Sequence, residues 1–109
     1  MRFPDYQEMD EPLLCFIYLN GGSGYAIRPG FTYEPLAEFF GLTREDRRRP
    51  RSDGFPGVQW QNRLQWERQR LINQGFVDGS TPGIWRLSPA GVNRASRLVS
   101  RYRALRLSI

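Results

Sequence analysis

The sequence predicts a mainly α domain carrying one small β-hairpin, an α+β fold. Three observations predict it. Apolar residues recur at helical spacing in several stretches. Asn20-Gly21, Gly41 and Gly75 stand where three of those stretches must stop. Near the C-terminus, Phe76-Val77 and Ile84-Trp85-Arg86-Leu87 read as short strands joined by the turn-forming Asp78-Gly79-Ser80-Thr81-Pro82-Gly83.

The elements follow in order. Residues 7–20 read as a first helix, with acids in its opening turn and Pro12 tolerable only near that start. Its run from Leu13 to Leu19 is apolar all round, which predicts deep burial. Gly21-Gly22-Ser23-Gly24 reads as a flexible turn, and Tyr25-Ala26-Ile27 as a short strand in an irregular segment. A second helix is expected over about 33–40, with Thr32 as cap, Pro35 in the first turn, and Leu36, Phe39 and Phe40 facing the core. Thr43-Arg44-Glu45-Asp46 looks like another helix start, Asp46 standing in for the capping-box glutamate. From Arg47 to Gly57, two Pro, two Gly and four Arg predict an irregular basic loop.

That loop runs into the best-defined helix, about 58–73. Trp60, Leu64 and Leu71 fall on one side with Ile72 at the edge, and Gln59, Asn62, Arg63, Trp66, Arg70 and Asn73 on the other. After the hairpin, Ser88 caps and Pro89 opens a last helix reaching about 108. Val92, Ala95, Val99 and Tyr102 form its inner stripe, and Arg94, Arg97 and Arg101 another face. A long polar helix directly before a hairpin, with a helix after it, is the order of a winged helix-turn-helix, the hairpin being the wing. The 109 residues are the size of a single domain, with seven Phe, five Tyr and three Trp as core material. The expected core covers about residues 5–99.

Charge narrows the partners. All 16 basic residues are Arg. Residues 1–46 hold three Arg against eight acids, a net of −5, and residues 47–109 thirteen Arg against three acids, a net of +10. Such polarity presents a positive field to a polyanion. The absences exclude chemistry. With no His and no Lys, Ser–His and Cys–His catalysis, a Schiff base and a phosphate-loop lysine are all ruled out. Asp53, Glu67 and Asp78 sit among arginines, where ion pairing outweighs metal binding, so neither cofactor nor metal is expected. The single Cys15 lies in an apolar run and reads as a buried thiol of a reducing cytosol. No stretch is long and apolar enough to span a bilayer.

Residues 62–91 carry a further pattern: Asn62-Arg63-Leu64, Trp66, Leu71, Gly75-Phe76, Gly83-Ile84-Trp85-Arg86-Leu87-Ser88 and Ala90-Gly91. Upstream stand Asp5-Tyr6-Gln7, Pro12-Leu13-Leu14 and the segment from Leu36 to Thr43. Together these resemble the N-terminal domain of Mrr-like restriction endonucleases over residues 5 to about 99. That domain typically carries an Asn-Arg-aliphatic-x-Trp helix, then Ala-Gly-Leu, then a Gly-x-Trp-x-aliphatic-Thr/Ser-x-x-Gly ending. This chain departs from it at Glu67, where a small residue is usual, at Gln74-Gly75-Phe76, and in a longer segment 20–31. The resemblance implies a winged-helix DNA-recognition module, joined in the parent family to a separate nuclease domain that often targets modified DNA.

The expected partner is therefore double-stranded DNA, with a nuclease domain or a second copy of the chain as further partners. Arg47, Arg48, Arg49 and Arg51 suit phosphates, Gln59, Gln61, Asn62, Arg63 and Arg70 suit base edges or phosphates, and Arg86 lies on the wing strand. Arg63 has a structural alternative, pairing with Glu67 one turn on, and Trp66 is expected to pack on a neighbouring helix. Two competing functions share the fold: a protein-docking or dimerising domain acting through Phe55, Trp66 and the last helix, and a free-standing transcription regulator.

Overall fold

Helix α1 (Tyr6–Asn20) buries six consecutive residues, Pro12 to Ile17, in a computed structural model that describes residues 3–107. A helix apolar on every side must be enclosed on every side. Helix α4 (Gln59–Asn73), helix α5 (Pro89–Leu98), the 3-10 segment Val99–Leu105 and a small sheet all pack against it. Pro12 is the seventh residue of α1, deeper than its missing N–H favours, and the helix runs on through it. At the far end the Gly21 N–H donates to Ile17 O at 2.8 Å. A Cβ on Gly21 would stand 2.6 Å from both Ile17 O and Ala26 N, so this turn admits only glycine. It is a close-packed corner, followed by a 3-10 turn at Gly22–Gly24, where a flexible one was expected.

Helix α2 (Tyr33–Phe39) begins as expected in place but not in chemistry. Thr32 has right-handed helical backbone angles, and its hydroxyl donates to Pro29 O at 2.7 Å instead of capping α2. Leu36 is buried, whereas Phe39 is 42% exposed, its ring lying 6.0 Å from that of Tyr102. The irregular loop expected from residue 47 begins later. Helix α3 (Arg44–Arg48) takes in Arg47 and Arg48, because Thr43 Oγ1 accepts from Asp46 N at 3.1 Å and also donates to the Asp46 carboxylate at 2.7 Å. The rest is pinned at its base, where Gln59 N donates to Arg49 O at 2.8 Å and Arg51 N to Gly57 O at 3.2 Å.

The fold class is the predicted one, mainly helical with a small antiparallel sheet, and the sheet has three strands. β1 (Ala26–Ile27), β2 (Val77–Asp78) and β3 (Trp85–Leu87) lie in the order β1-β3-β2. Ile27 faces Trp85 and Val77 faces Leu87, and all four side chains are buried. The short strand expected near residue 26 thus completes the hairpin. The last helix is shorter than predicted: its α-helical part stops at Leu98, a tighter 3-10 segment follows, and Tyr102 (φ −126°, ψ 24°) breaks regularity inside that segment. Residue 108 lies outside the described residues. No described helix is long and apolar enough to cross a membrane.

One close approach holds α5 in place. The Ser88 hydroxyl accepts from Gly91 N at 3.1 Å, capping α5, and donates to Gly75 O at 2.6 Å. A Cβ built on Gly91 would stand 2.0 Å from Phe76 O, a backbone atom that cannot swing aside. Gly91→Ala is therefore expected to lower unfolding stability in urea by about 1–3 kcal/mol, since α5 must back away from residue 76. Gly24→Ala, in open space, should change it by no more than about 0.5 kcal/mol. Equal midpoints for the two variants would contradict this packing account.

Candidate nucleic-acid interface

Helix α4 is the candidate reading element, and its 100° step sorts its residues cleanly. Trp60, Leu64, Glu67 and Leu71 are buried along one stripe, Trp60 Nε1 donating to Tyr33 O at 2.8 Å. Gln59, Asn62, Trp66, Gln69 and Asn73 line the opposite face. Trp66 is 58% exposed and so does not pack on a neighbouring helix of the chain. The Gln59 and Asn62 side chains make no hydrogen bond among the described residues, and Gln69 Nε2 donates to Asn73 Oδ1 at 3.1 Å. Gln61 is half-buried and sits roughly 200° round the helix from Gln59, off this face.

The two arginines of α4 expected to read DNA are occupied. Arg63 donates from Nε and a terminal nitrogen to Pro4 O at 3.0 and 2.7 Å, and its guanidinium lies 4.4 Å over the Tyr6 ring. It makes no pair with Glu67. Arg70 donates to both Asp10 oxygens, at 3.1 and 3.4 Å, and to Glu67 Oε1 at 3.3 Å. Both arginines thus fasten α4 to α1 or to the residues leading into it.

The basic segment is likewise tied. Arg47 donates to Leu42 O at 2.9 Å, to Glu34 at 3.1 Å and to Glu38 at 2.9 Å, locking α3 to α2. Arg49 pairs with Asp46 at 2.8 Å. That guanidinium, and next the Thr43 hydroxyl, holds the Asp46 carboxyl below the usual carboxylate range. Arg51 pairs with Asp53 and lies 5.4 Å over the Phe55 ring. Arg48 is exposed and forms no ion pair among the described residues. Arg86, half-buried on the central strand, stands opposite Asp78.

Of the ten candidates, the structure brings four together. Arg51, Gln59, Asn62 and Arg63 line one polar hollow of about 110 Å³ between the loop and the start of α4, with Tyr6, Ser52 and Asp53 completing it. At the other end of α4 the hairpin turn folds back. A Cβ on Gly79 would lie 2.6 Å from Ile72 Cδ1, so the turn rests on the helix instead of projecting from it.

The chain matches the Mrr N-terminal domain family over residues 6–97. It belongs to that family. Membership associates this Mrr N-terminal domain with Mrr-type restriction systems. Neither a comparison with curated proteins nor one with solved structures gives a match. The motif residues of the domain have structural roles here: Gly75 (φ 85°) ends α4, Gly91 admits the backbone of Phe76, and Trp85 is buried at the sheet's centre.

Glu67, the residue that departs from the family pattern, is fully buried, and its Oε2 has no hydrogen-bond partner. The ion pairing expected of it is made with Arg70, at 3.3 Å, and its burial follows from its place on the Trp60–Leu64–Leu71 stripe, which the helical wheel also shows. Burial pushes its carboxyl up to about 9, with Asp10 adding to the rise and Arg70 opposing it. Folded Glu67 holds its proton where the unfolded chain, titrating near 4.5, has released it. Stability is therefore expected to be full below pH 4.5 and to fall as pH rises towards 9. Glu67→Gln keeps an acceptor for Arg70 without the charge, so its melting temperature should exceed wild type by more at pH 8.5 than at pH 5. Parallel pH profiles would overturn the burial argument.

Proposed function

We propose that this Mrr N-terminal domain is a non-catalytic winged-helix module of the cytosol that binds duplex DNA for a restriction-type nuclease. One observation carries the reading. The outer face of α4 offers amides and an exposed tryptophan, and its single carboxylate, Glu67, is turned inward. A helix with side chains about 10–12 Å across fits a major groove about 12 Å wide. Amides can then both donate to and accept from base edges, Trp66 supplies apolar contact, and no fixed negative charge opposes the phosphates. Family membership supports a place beside a nuclease domain.

Phosphate contact separates the arginines by their present duties. Arg48 has no internal partner, so Arg48→Gln should leave the melting temperature alone and flatten the log–log salt dependence of duplex affinity by about 0.9. Arg47→Gln releases Glu34, Glu38 and Leu42 O together, so it should instead lower the melting temperature. Asn62→Ala should narrow the affinity difference between unlike duplexes by about 1–3 kcal/mol, read by fluorescence anisotropy on a sequence library. A wild-type chain that binds no duplex at 50 mM salt would end the proposal.

A second reading, docking onto a protein, is favoured by Trp66 and Phe55, which are 58% and 66% exposed. A dimer by light scattering with no gel shift on random duplex would favour it over DNA.

A further inference from the structure

The largest set of arginines without internal partners lies outside the reading helix. From Ser88 to Leu107 the chain has no acid and five arginines: Arg94, Arg97, Arg101, Arg103 and Arg106. Arg94 is half-buried and covers the Phe76 ring at 4.8 Å. The other four are exposed, and none forms an ion pair among the described residues. The acids that could have met them are spent elsewhere: Asp10 on Arg70, Glu34 and Glu38 on Arg47, Asp46 on Arg49, and Glu11 on the Tyr102 hydroxyl at 2.8 Å.

Three of the four are placed by what packs around them. Ala95, Leu98, Tyr102 and Leu105 pack into the core beside α1. Stepping about 100° per residue along α5 sets Arg97 away from that seam, and past the break at Tyr102 both Arg103 and Arg106 are exposed while Leu105 between them is buried. Residues 103 and 106 are three apart, and the Arg106 N–H, just past the end of the 3-10 segment, donates to Arg103 O at 3.1 Å. At about 1.5 and 2.0 Å per residue the row spans roughly 17 Å, over which a duplex presents about ten phosphates.

What surrounds the row selects the partner. Its exposed neighbours along the chain are Asn93, Ser96, Ser100 and Ala104, small or polar, with Leu107 after Arg106 bordering an apolar hollow at its end. A protein-docking surface concentrates aromatic and aliphatic anchors at its centre, whereas here the exposed apolar side chain, Leu107, stands at one end. Arginines separated by hydroxyls and amides suit phosphate and sugar, which need donors and no apolar pocket. We infer that Arg97, Arg103 and Arg106 form a second surface of this domain, one that takes the phosphate backbone of DNA independently of base sequence. The inference rests on the reading of the chain as a duplex binder and adds a contact surface to it.

The test is fluorescence anisotropy on a labelled 20-base-pair random duplex from 50 to 200 mM salt, comparing wild type with Arg97→Gln/Arg103→Gln/Arg106→Gln. These side chains make no internal bonds, so circular dichroism and melting temperature should match wild type. The triple variant should bind every duplex about 10- to 100-fold more weakly at 100 mM salt, with a log–log slope shallower by roughly 2.7. The single variants Arg103→Gln and Arg106→Gln should each remove about 0.9, which keeps the test open if the triple variant folds poorly. A wild-type slope retained by these variants overturns the inference and leaves the proposed function standing. So does a triple variant that loses binding to polyglutamate while keeping its DNA slope. A wild-type chain with no duplex affinity overturns both together.

Discussion

Helix α1 is the constraint on which the rest of the structure depends. Its six consecutive buried residues cannot be satisfied by one partner layer, because successive side chains point about 100° apart and sweep the whole circumference. The chain therefore wraps α1: α4 on one side, the sheet on another, α5 and the 3-10 segment on a third. That wrapping makes the C-terminal segment part of the core. Leu105 is buried, and Asn20 clasps the segment by donating to Leu105 O at 2.9 Å and accepting from Leu107 N at 2.8 Å. An element so anchored on one side is free to be wholly cationic on the other.

The same constraint explains the buried charge. α4 must lie close to α1, and where they meet the sequence supplies Asp10 from one helix and Glu67 and Arg70 from the other. Two carboxyls and one guanidinium cannot be mutually neutralised when all are ionised, so burial is relieved by keeping Glu67 protonated. An apolar residue at 67 would pack there without that compromise. What the trio adds is position: Arg70 is directed by both acids, and with Arg63 held on Pro4 O it fixes the rotation of α4 about its own axis. The outward direction of Asn62 and Trp66 follows from that rotation.

Much of this was legible in the sequence because it is local. Ser88-Pro89 names a helix start whatever surrounds it, Gly75 names a stop through its positive φ, and Thr43 with Asp46 closes a cap within three residues. Trp60, Leu64 and Leu71 show their common face by spacing alone. What escaped is what depends on partners far along the chain. Nothing near Arg47 shows that Glu34 and Glu38, 13 and 9 residues earlier, will bracket it. Nothing near Ala26 shows that its strand will meet residue 86. Thr32 failed as a cap because Pro29 O offered its hydroxyl a nearer partner. For the candidate site, the helix and its polar face could be read, but the duty of each arginine on it could not.

That difference in duty has a physical consequence for any polyanion that meets the domain. A guanidinium already bonded to a carboxylate contributes little net field at a distance, because the pair is nearly a dipole, and a phosphate that takes its place must first displace the carboxylate. Exposed pairs of this kind contribute little, so a phosphate displaces the carboxylate easily for Arg51 and Asp53. Displacement is harder for Arg47, whose three acceptors lie on α2 and the turn after it. The long-range field of the molecule is consequently set by the arginines that form no ion pair among the described residues, among them the exposed Arg28, Arg44 and Arg48 and the arginines of α5 and its 3-10 continuation. On the reading proposed above, attraction and discrimination are thereby assigned to different parts of one small fold. The unanswered arginines raise the local concentration of DNA, and α4, nearly uncharged on its outer face, meets the bases without the desolvation that a free guanidinium would bring with it.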